Sequence, residues 1–225
     1  MSELMLIVMR TAYQYKLKPN QEQVSTIELW LDLLRRQYNY RLGERFSWWS
    51  ENRCPVNACP LIMPIPQLKN NPDYYSQKKD LVNTKDKFPE YKLVHSQVLQ
   101  DCIKRVKLAF ERWLKADKNG QRLGKPSFKG IGRYRSFTYP QIKQNCIEGN
   151  KINLPKIGKV KLIQHRSLPE GFQIKTVTII RKADGYYVTR SLEDKSVPKF
   201  NSDVEPTTEN TLLIDMGLKN FLVTS

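Results

Sequence analysis

Long apolar runs are missing from this 225-residue chain. The longest, Leu4 to Met9, has six residues, far short of the roughly 20 that a membrane-spanning helix needs. No secretory leader is read either. Glu3 stands where a leader would carry basic residues, Arg10 interrupts the run, and no small-residue cleavage site follows. Histidine is scarce, with His95 and His165 alone, and neither is given a catalytic role. The four cysteines, Cys54, Cys59, Cys102 and Cys146, are irregularly spaced and include no Cys-x-x-Cys pair. Without a leader they read as reduced thiols. A zinc site at Cys54 and Cys59 would need two further ligands nearby, and both histidines are remote in sequence, so no zinc is expected. The compartment these absences suggest is the cytoplasm, with no membrane partner.

Negative charge is also scarce: 22 Asp and Glu stand against 38 Lys and Arg, a formal net charge of +16. The excess has an address. From Lys92 to Lys182 there are 21 Lys and Arg against 5 Asp and Glu, and the rest of the chain cancels. A charge run is commonly a solvated face. This stretch, however, interleaves its cations with Phe110, Trp113, Phe128, Tyr134, Phe137 and Tyr139. Basic groups neutralise phosphates and release counterions, while aromatic faces stack on unpaired bases. A polyanionic partner, nucleic acid, is the favoured reading.

The hydrophobic content of 40% supports a folded core. Val8 to Leu17 alternates with period two and predicts a strand. Asn20 and Gln23 have capping-box spacing, and Val24, Ile27, Leu31, Leu34 and Tyr38 follow at helical spacing. Arg35, Arg36, Arg41 and Arg45 on the same helix face either phosphate or solvent. Five prolines between Asn52 and Pro72 predict an extended loop. Ser96 is positioned to cap a second helix with one apolar stripe, Leu99, Ile103, Val106, Phe110 and Trp113, read as core. Its other faces carry Lys104, Arg105, Lys107, Arg112 and Lys115, and Gly120 and Gly124 end the helical region. Five short strands follow: 135–139, 151–154, 159–164, 174–181 and 186–191. The strongest hairpin signal is Ala183-Asp184-Gly185. Together they predict an α+β fold with a small antiparallel β-barrel that takes in the first strand, the helices forming an insertion. Residues 196–210 read as a linker, and 211–215 as a fresh strand ending in Asp215.

Asp215 stands before Met216-Gly217, and an Asp at that position commonly just initiates a turn. A strand-end carboxylate also serves metal or phosphate sites. Leu218 and Lys219, where an actin-like ATPase would carry Thr or Ser, disfavour the phosphate reading. An RNase H-like nuclease uses such an Asp to hold Mg²⁺, together with carboxylates from later strands.

Four stretches, in this order, resemble the OrfB/TnpB family of insertion-sequence proteins. They are Tyr13-x-Tyr15-x-Leu17-x-Pro19 with Gln21-Glu22-Gln23, Gly124-Lys125-Pro126-Ser127-Phe128-Lys129, Ile152-x-Leu154-Pro155-x-Ile157-Gly158, and Leu213-Ile214-Asp215-Met216-Gly217-Leu218-Lys219-Asn220-Phe221. The resemblance implies a wedge-like barrel interrupted by a helical recognition lobe with a helix-turn-helix-like start, then the first strands of a truncated RuvC-like domain. The corresponding boundaries are 1–18 for the first barrel strand, 19–118 for the lobe, 119–195 for the rest of the barrel, 196–210 for the linker and 211–225 for the nuclease start. Members bind a guide RNA and cut matching target DNA with Mg²⁺, and are related to type V CRISPR effectors. Asp215 matches the first of three metal-holding acids.

The other two acids and the family's zinc ribbon would fall beyond residue 225. One carboxylate cannot clamp two ions, so the chain alone is expected to be inactive, unless a second chain completes the site. A stand-alone RNA-binding module with a structural Asp215 is the alternative. Candidate phosphate contacts are Arg105, Arg112, Lys115, Lys125, Lys129, Arg133 and Arg135, with Tyr134 as a stacking candidate and Phe137 assigned to the core. The resulting location is the nucleoid.

Overall fold

Tyr15 and Leu17 are buried while Ala12 and Lys18 are exposed, and this alternation produces the first strand, β1 (Leu6–Lys18). The structure, a computed structural model, describes residues 6–52, 70–116, 119–166, 171–198, 214–215 and 223–224. It contains two compact units, one of Arg10–Asp194 and one of Met1–Met9 with Lys195–Ser225. Cys54, Cys59 and most of the proline-rich loop lie outside the described residues, as do 199–210 of the expected linker.

The capping box forms as its spacing requires. Gln23 N donates to Asn20 Oδ1 at 2.8 Å and Asn20 N donates to Gln23 Oε1 at 3.1 Å, satisfying two donors at the start of α1 (Gln21–Asn52). This helix runs unbroken for 32 residues. Its buried set includes Ile27, Trp30, Leu31, Leu34, Tyr38, Arg41, Leu42 and Arg45, a stripe at i, i+3, i+4 and i+7, widened by Leu33 and Gln37. Two short helices follow, α2 (Tyr74–Lys79) and α3 (Leu81–Lys87), then a 3₁₀ turn at Pro89–Lys92. Asp73 caps α2 by accepting from Ser76 N at 2.6 Å.

α4 (Ser96–Leu114) buries Leu99, Ile103, Val106 and Phe110 as the stripe predicts. Its cap is a correction. His95, extended and with no side-chain capping bond, occupies the N-cap, and the Ser96 hydroxyl accepts from Lys85 Nζ at 2.9 Å. The Ser96 hydroxyl thus serves a contact with α3.

Six further strands complete the sheet: β2 (Ser136–Tyr139), β3 (Ile147–Glu148), β4 (Lys151–Leu154), β5 (Gly158–Ile163), β6 (Gln173–Lys182) and β7 (Gly185–Pro198). The order is β2-β6-β7-β1-β5-β4-β3, and the described registers are antiparallel. Lys182 faces Gly185 across the Ala183-Asp184 turn, and Gly185 sits at φ +132°, where a side chain is strained. A register shift between Ile174 and Thr176 lets Ile174, Val177 and Ile179 all turn inward, which strict alternation forbids.

The expected closed barrel is corrected to an open, curled half-barrel, because β2 and β3 end the strand order without pairing to each other. The helices cover the inner side near β2. Trp30 of α1 lies 5.5 Å from the Phe137 ring and 6.4 Å from Tyr139, so one indole joins helix to sheet. Arg105 of α4 donates to the Ser136 carbonyl at 2.8 Å and to Thr138 Oγ1 at 2.6 Å. A guanidinium thus takes hydrogen-bonding capacity that an edge strand would otherwise leave open. β8 (Ile214–Asp215) and β9 (Val223–Thr224) pair antiparallel, Asp215 opposite Val223.

Candidate nucleic-acid interface

The segment from Gln121 to Arg135 leaves α4 without regular structure until β2 begins. It is nevertheless pinned at several points. Leu123 N donates to the Arg112 carbonyl at 3.3 Å. The Asn39 side chain of α1 grips Lys129 on both backbone groups, accepting from its N at 2.7 Å and donating to its O at 2.9 Å. Phe128 meets the Phe46 ring edge-on at 5.6 Å, and Arg181 donates to the Gly132 carbonyl at 2.8 Å. A loop held this way loses little conformational freedom on meeting a ligand.

The cations on and beside this segment fall into two kinds. Lys125 lies 4.6 Å above the Phe46 ring and 5.7 Å from Trp113, and Lys129 lies 5.8 Å from Tyr38. These ammonium groups rest on aromatic faces while Lys125 stays exposed and Lys129 half-buried. Arg112, Lys115, Arg122, Arg133 and Arg135 are exposed, and none has an ion-pair partner among the described residues. Arg112, Lys115 and Arg122 share the lining of a shallow cavity of about 390 Å³ with Glu111, whose carboxylate lies 3.7 Å from Lys107. Unpaired guanidinium groups on a fixed backbone suit phosphate oxygens, which accept two parallel hydrogen bonds from one fork.

Two of the expected contacts are corrected. Arg105 is a structural clamp: besides its bonds to β2, its Nε donates to Asp101 Oδ2 at 2.8 Å, so its fork is spent on protein acceptors. Tyr134 is 7% exposed, its ring 5.9 Å from Tyr38, and burial raises its phenol well above its ordinary pKa. It has no face to offer a base. Phe137 is in the core.

The arginines of α1 also turn out differently from either alternative read in the sequence. Arg35 and Arg36 pair with Asp32 at 2.7 and 2.8 Å. Arg41, 1% exposed, reaches Asp80 at 2.7 Å, Glu44 at 3.0 Å and Thr84 Oγ1 at 2.8 Å. Arg45 donates to Gln77 Oε1 at 3.1 Å, and Gln77 Nε2 returns a bond to the Arg41 carbonyl at 3.0 Å. The signal was present, since Arg41 and Arg45 continue the stripe of Leu34, Tyr38 and Leu42. A third buried guanidinium, Arg190 of β7, stacks 4.1 Å from the Tyr15 ring, with no hydrogen bond to its nitrogens among the described residues, and burial lowers its pKa. Nothing in its strand pattern distinguished it from an outward-facing cation.

The Asp215 carboxylate lies outside the described residues, and among those described no three His, Cys, Asp or Glu side chains gather as a metal site. His95 packs against Tyr139 at 5.6 Å and His165 against Tyr15 at 5.3 Å. No helix among the described residues is long and apolar enough to cross a membrane.

Residues 5–54 match the family model HTH_OrfB_IS605, described as a helix-turn-helix domain. The N-terminal region is therefore of the OrfB/IS605 TnpB-family kind. No curated protein matches the chain. In this structure the matched span consists of β1 and the unbroken α1, whose Arg41 and Arg45 point inward.

Proposed function

We propose that this chain, whose N-terminal region is of the OrfB/IS605 TnpB kind, serves as the nucleic-acid-binding N-terminal part of a transposon-encoded, TnpB-like RNA-guided DNA endonuclease. The observation that carries this reading is the set of exposed, unpaired cations Arg112, Lys115, Arg122, Arg133 and Arg135 on and beside a pinned loop. Their partners are guide RNA and target DNA, held mainly through phosphates, which gives affinity rather than sequence reading. The division into first strand, helical lobe, half-barrel, linker and nuclease start belongs to this proposal. So does residue 211–225 as the opening of a RuvC-like sheet, which the antiparallel pairing of β8 with β9 supports.

Mg²⁺ is the metal this reading calls for, with Asp215 as its first ligand. A single carboxylate does not hold an octahedral ion, and the described residues supply no companion ligands. The role assigned to these residues is therefore binding, and no cleavage step is routed through them.

The test is fluorescence anisotropy of the full chain with labelled single-stranded RNA over a salt series. Each phosphate neutralised on a single strand contributes about −0.7 to the slope of log K against log salt. Replacing Arg133 and Arg135 together by Ala should flatten the slope by about 1.4. An unchanged slope would remove these two residues from the interface.

A further inference from the structure

Separate from the basic loop, a cavity of about 470 Å³ opens between α1, α3 and the 3₁₀ turn. α1 contributes Arg36, Gln37 and Tyr40. α3 and its N-cap contribute Asp80, Asn83, Thr84 and Lys87, and the turn contributes Phe88, Glu90 and Tyr91. Two large aromatic rings are left in the open there, Tyr40 at 58% and Phe88 at 52% exposed. Exposing both rings beside one recess is unfavourable unless something covers them.

The polar groups of the cavity are sorted by what they already hold. Asp80 is taken by Arg41 at 2.7 Å and Asn83 at 2.9 Å. The Thr84 hydroxyl lies between Arg41 and the Asp80 carbonyl. Tyr91 is buried and neutral, its pKa pushed up to about 12 by burial. Gln37 is different: it is 1% exposed, it lines the cavity, and its Nε2 has no hydrogen-bond partner. A buried amide donor without an acceptor costs stability, and a ligand carbonyl or ring nitrogen would recover it. Lys87 is exposed at the rim with no ion-pair partner among the described residues, and Arg36 stands there paired to Asp32. The rim carboxylate of Glu90 opposes an anion, so the cationic side defines where a phosphate can sit.

Resting on the nucleic-acid reading above, we propose that this cavity receives one unpaired nucleotide, its base against Phe88 and Tyr40, a base acceptor on Gln37 Nε2 and its phosphate toward Lys87. The volume suits a small flat ligand, and the chain's surplus of positive charge selects a phosphate-bearing one. A base inside a duplex has both faces covered, so the cavity discriminates for single strands.

The experiment compares the full chain with Phe88→Ala, Gln37→Leu and the Arg133→Ala/Arg135→Ala pair, on a labelled 12-nucleotide RNA and on a DNA duplex of the same sequence. Phe88→Ala removes a surface ring and leaves the core intact. It should raise the single-strand Kd about tenfold, the size of one base–aromatic stack, with duplex affinity unchanged. Gln37→Leu should act in the same direction on the single strand. If Phe88→Ala changes neither affinity, or weakens both alike, the nucleotide cavity is overturned. If at the same time the arginine pair weakens binding, the basic-loop reading stands without it. A wild-type chain that binds neither probe overturns both.

Discussion

The buried guanidinium of Arg41 allows a sharp separation of structure from binding. At 2.7 Å from Asp80, Coulomb attraction at an effective dielectric near 20 amounts to about 6 kcal/mol before desolvation. The Asp80 side chain is 39% exposed, and Glu44 remains as a second partner at 3.0 Å, so solvent screening and redundancy cut this deeply. Asp80→Ala is expected to cost about 2 kcal/mol, at or below the low end for breaking a buried pair. For a unit of this size that lowers Tm by about 4–8 °C. Arg41→Met removes the charge along with its partners' task and fills similar volume, so it should cost about 1 kcal/mol or less. The pH dependence has a defined sign. Burial alone would raise the Asp80 pKa, but the Asn83 amide and Arg41 outweigh it and hold it below its ordinary value. The stability it contributes is therefore present above the unfolded carboxylate pKa of about 4 and is lost as pH falls through the lower folded value. Thermal melts of both variants between acid and neutral pH, with RNA anisotropy on Arg41→Met, provide the assay. Arg41→Met should leave the salt slope unchanged. A larger Tm loss for Arg41→Met than for Asp80→Ala, or a flattened slope, would refute the argument.

Two further outcomes follow from the geometry. Arg105→Lys forfeits the fork that reaches Asp101, Ser136 and Thr138 at once, and should cost about 1–3 kcal/mol in chemical denaturation while leaving the salt dependence of binding intact. A flattened slope would return Arg105 to the interface. Asn39→Ala releases both backbone groups of Lys129, about 2 kcal/mol of local stability, and hydrogen exchange at the Lys129 amide should accelerate about 30-fold with slower amides of α4 unchanged. Unchanged exchange would mean the loop is held by its aromatic contacts alone.

Several elements were legible because their causes are local. The Asn20 and Gln23 box, the stripe of α4 and the Ala183-Asp184 turn each depend on residues a few positions apart, and each forms where its spacing places it. Short α2 and α3 were not read, since six or seven residues give too little periodicity and they follow a proline-rich stretch. The half-barrel was read as closed because strand count says nothing about whether β2 and β3 meet.

By itself, the sequence determined the lopsided charge, with its excess between Lys92 and Lys182, and the strand and helix periods that generate the core. Tertiary structure alone decided which cations remain available to phosphate. Arg41 and Arg45 find Thr84 and Gln77, 43 and 32 residues away, and Arg105 finds Ser136, 31 residues on, while Arg133 and Arg135 find no ion-pair partner. A long side chain ends several ångströms from its own backbone, so its partner is chosen by whichever distant segment packs there, and no local pattern records that choice.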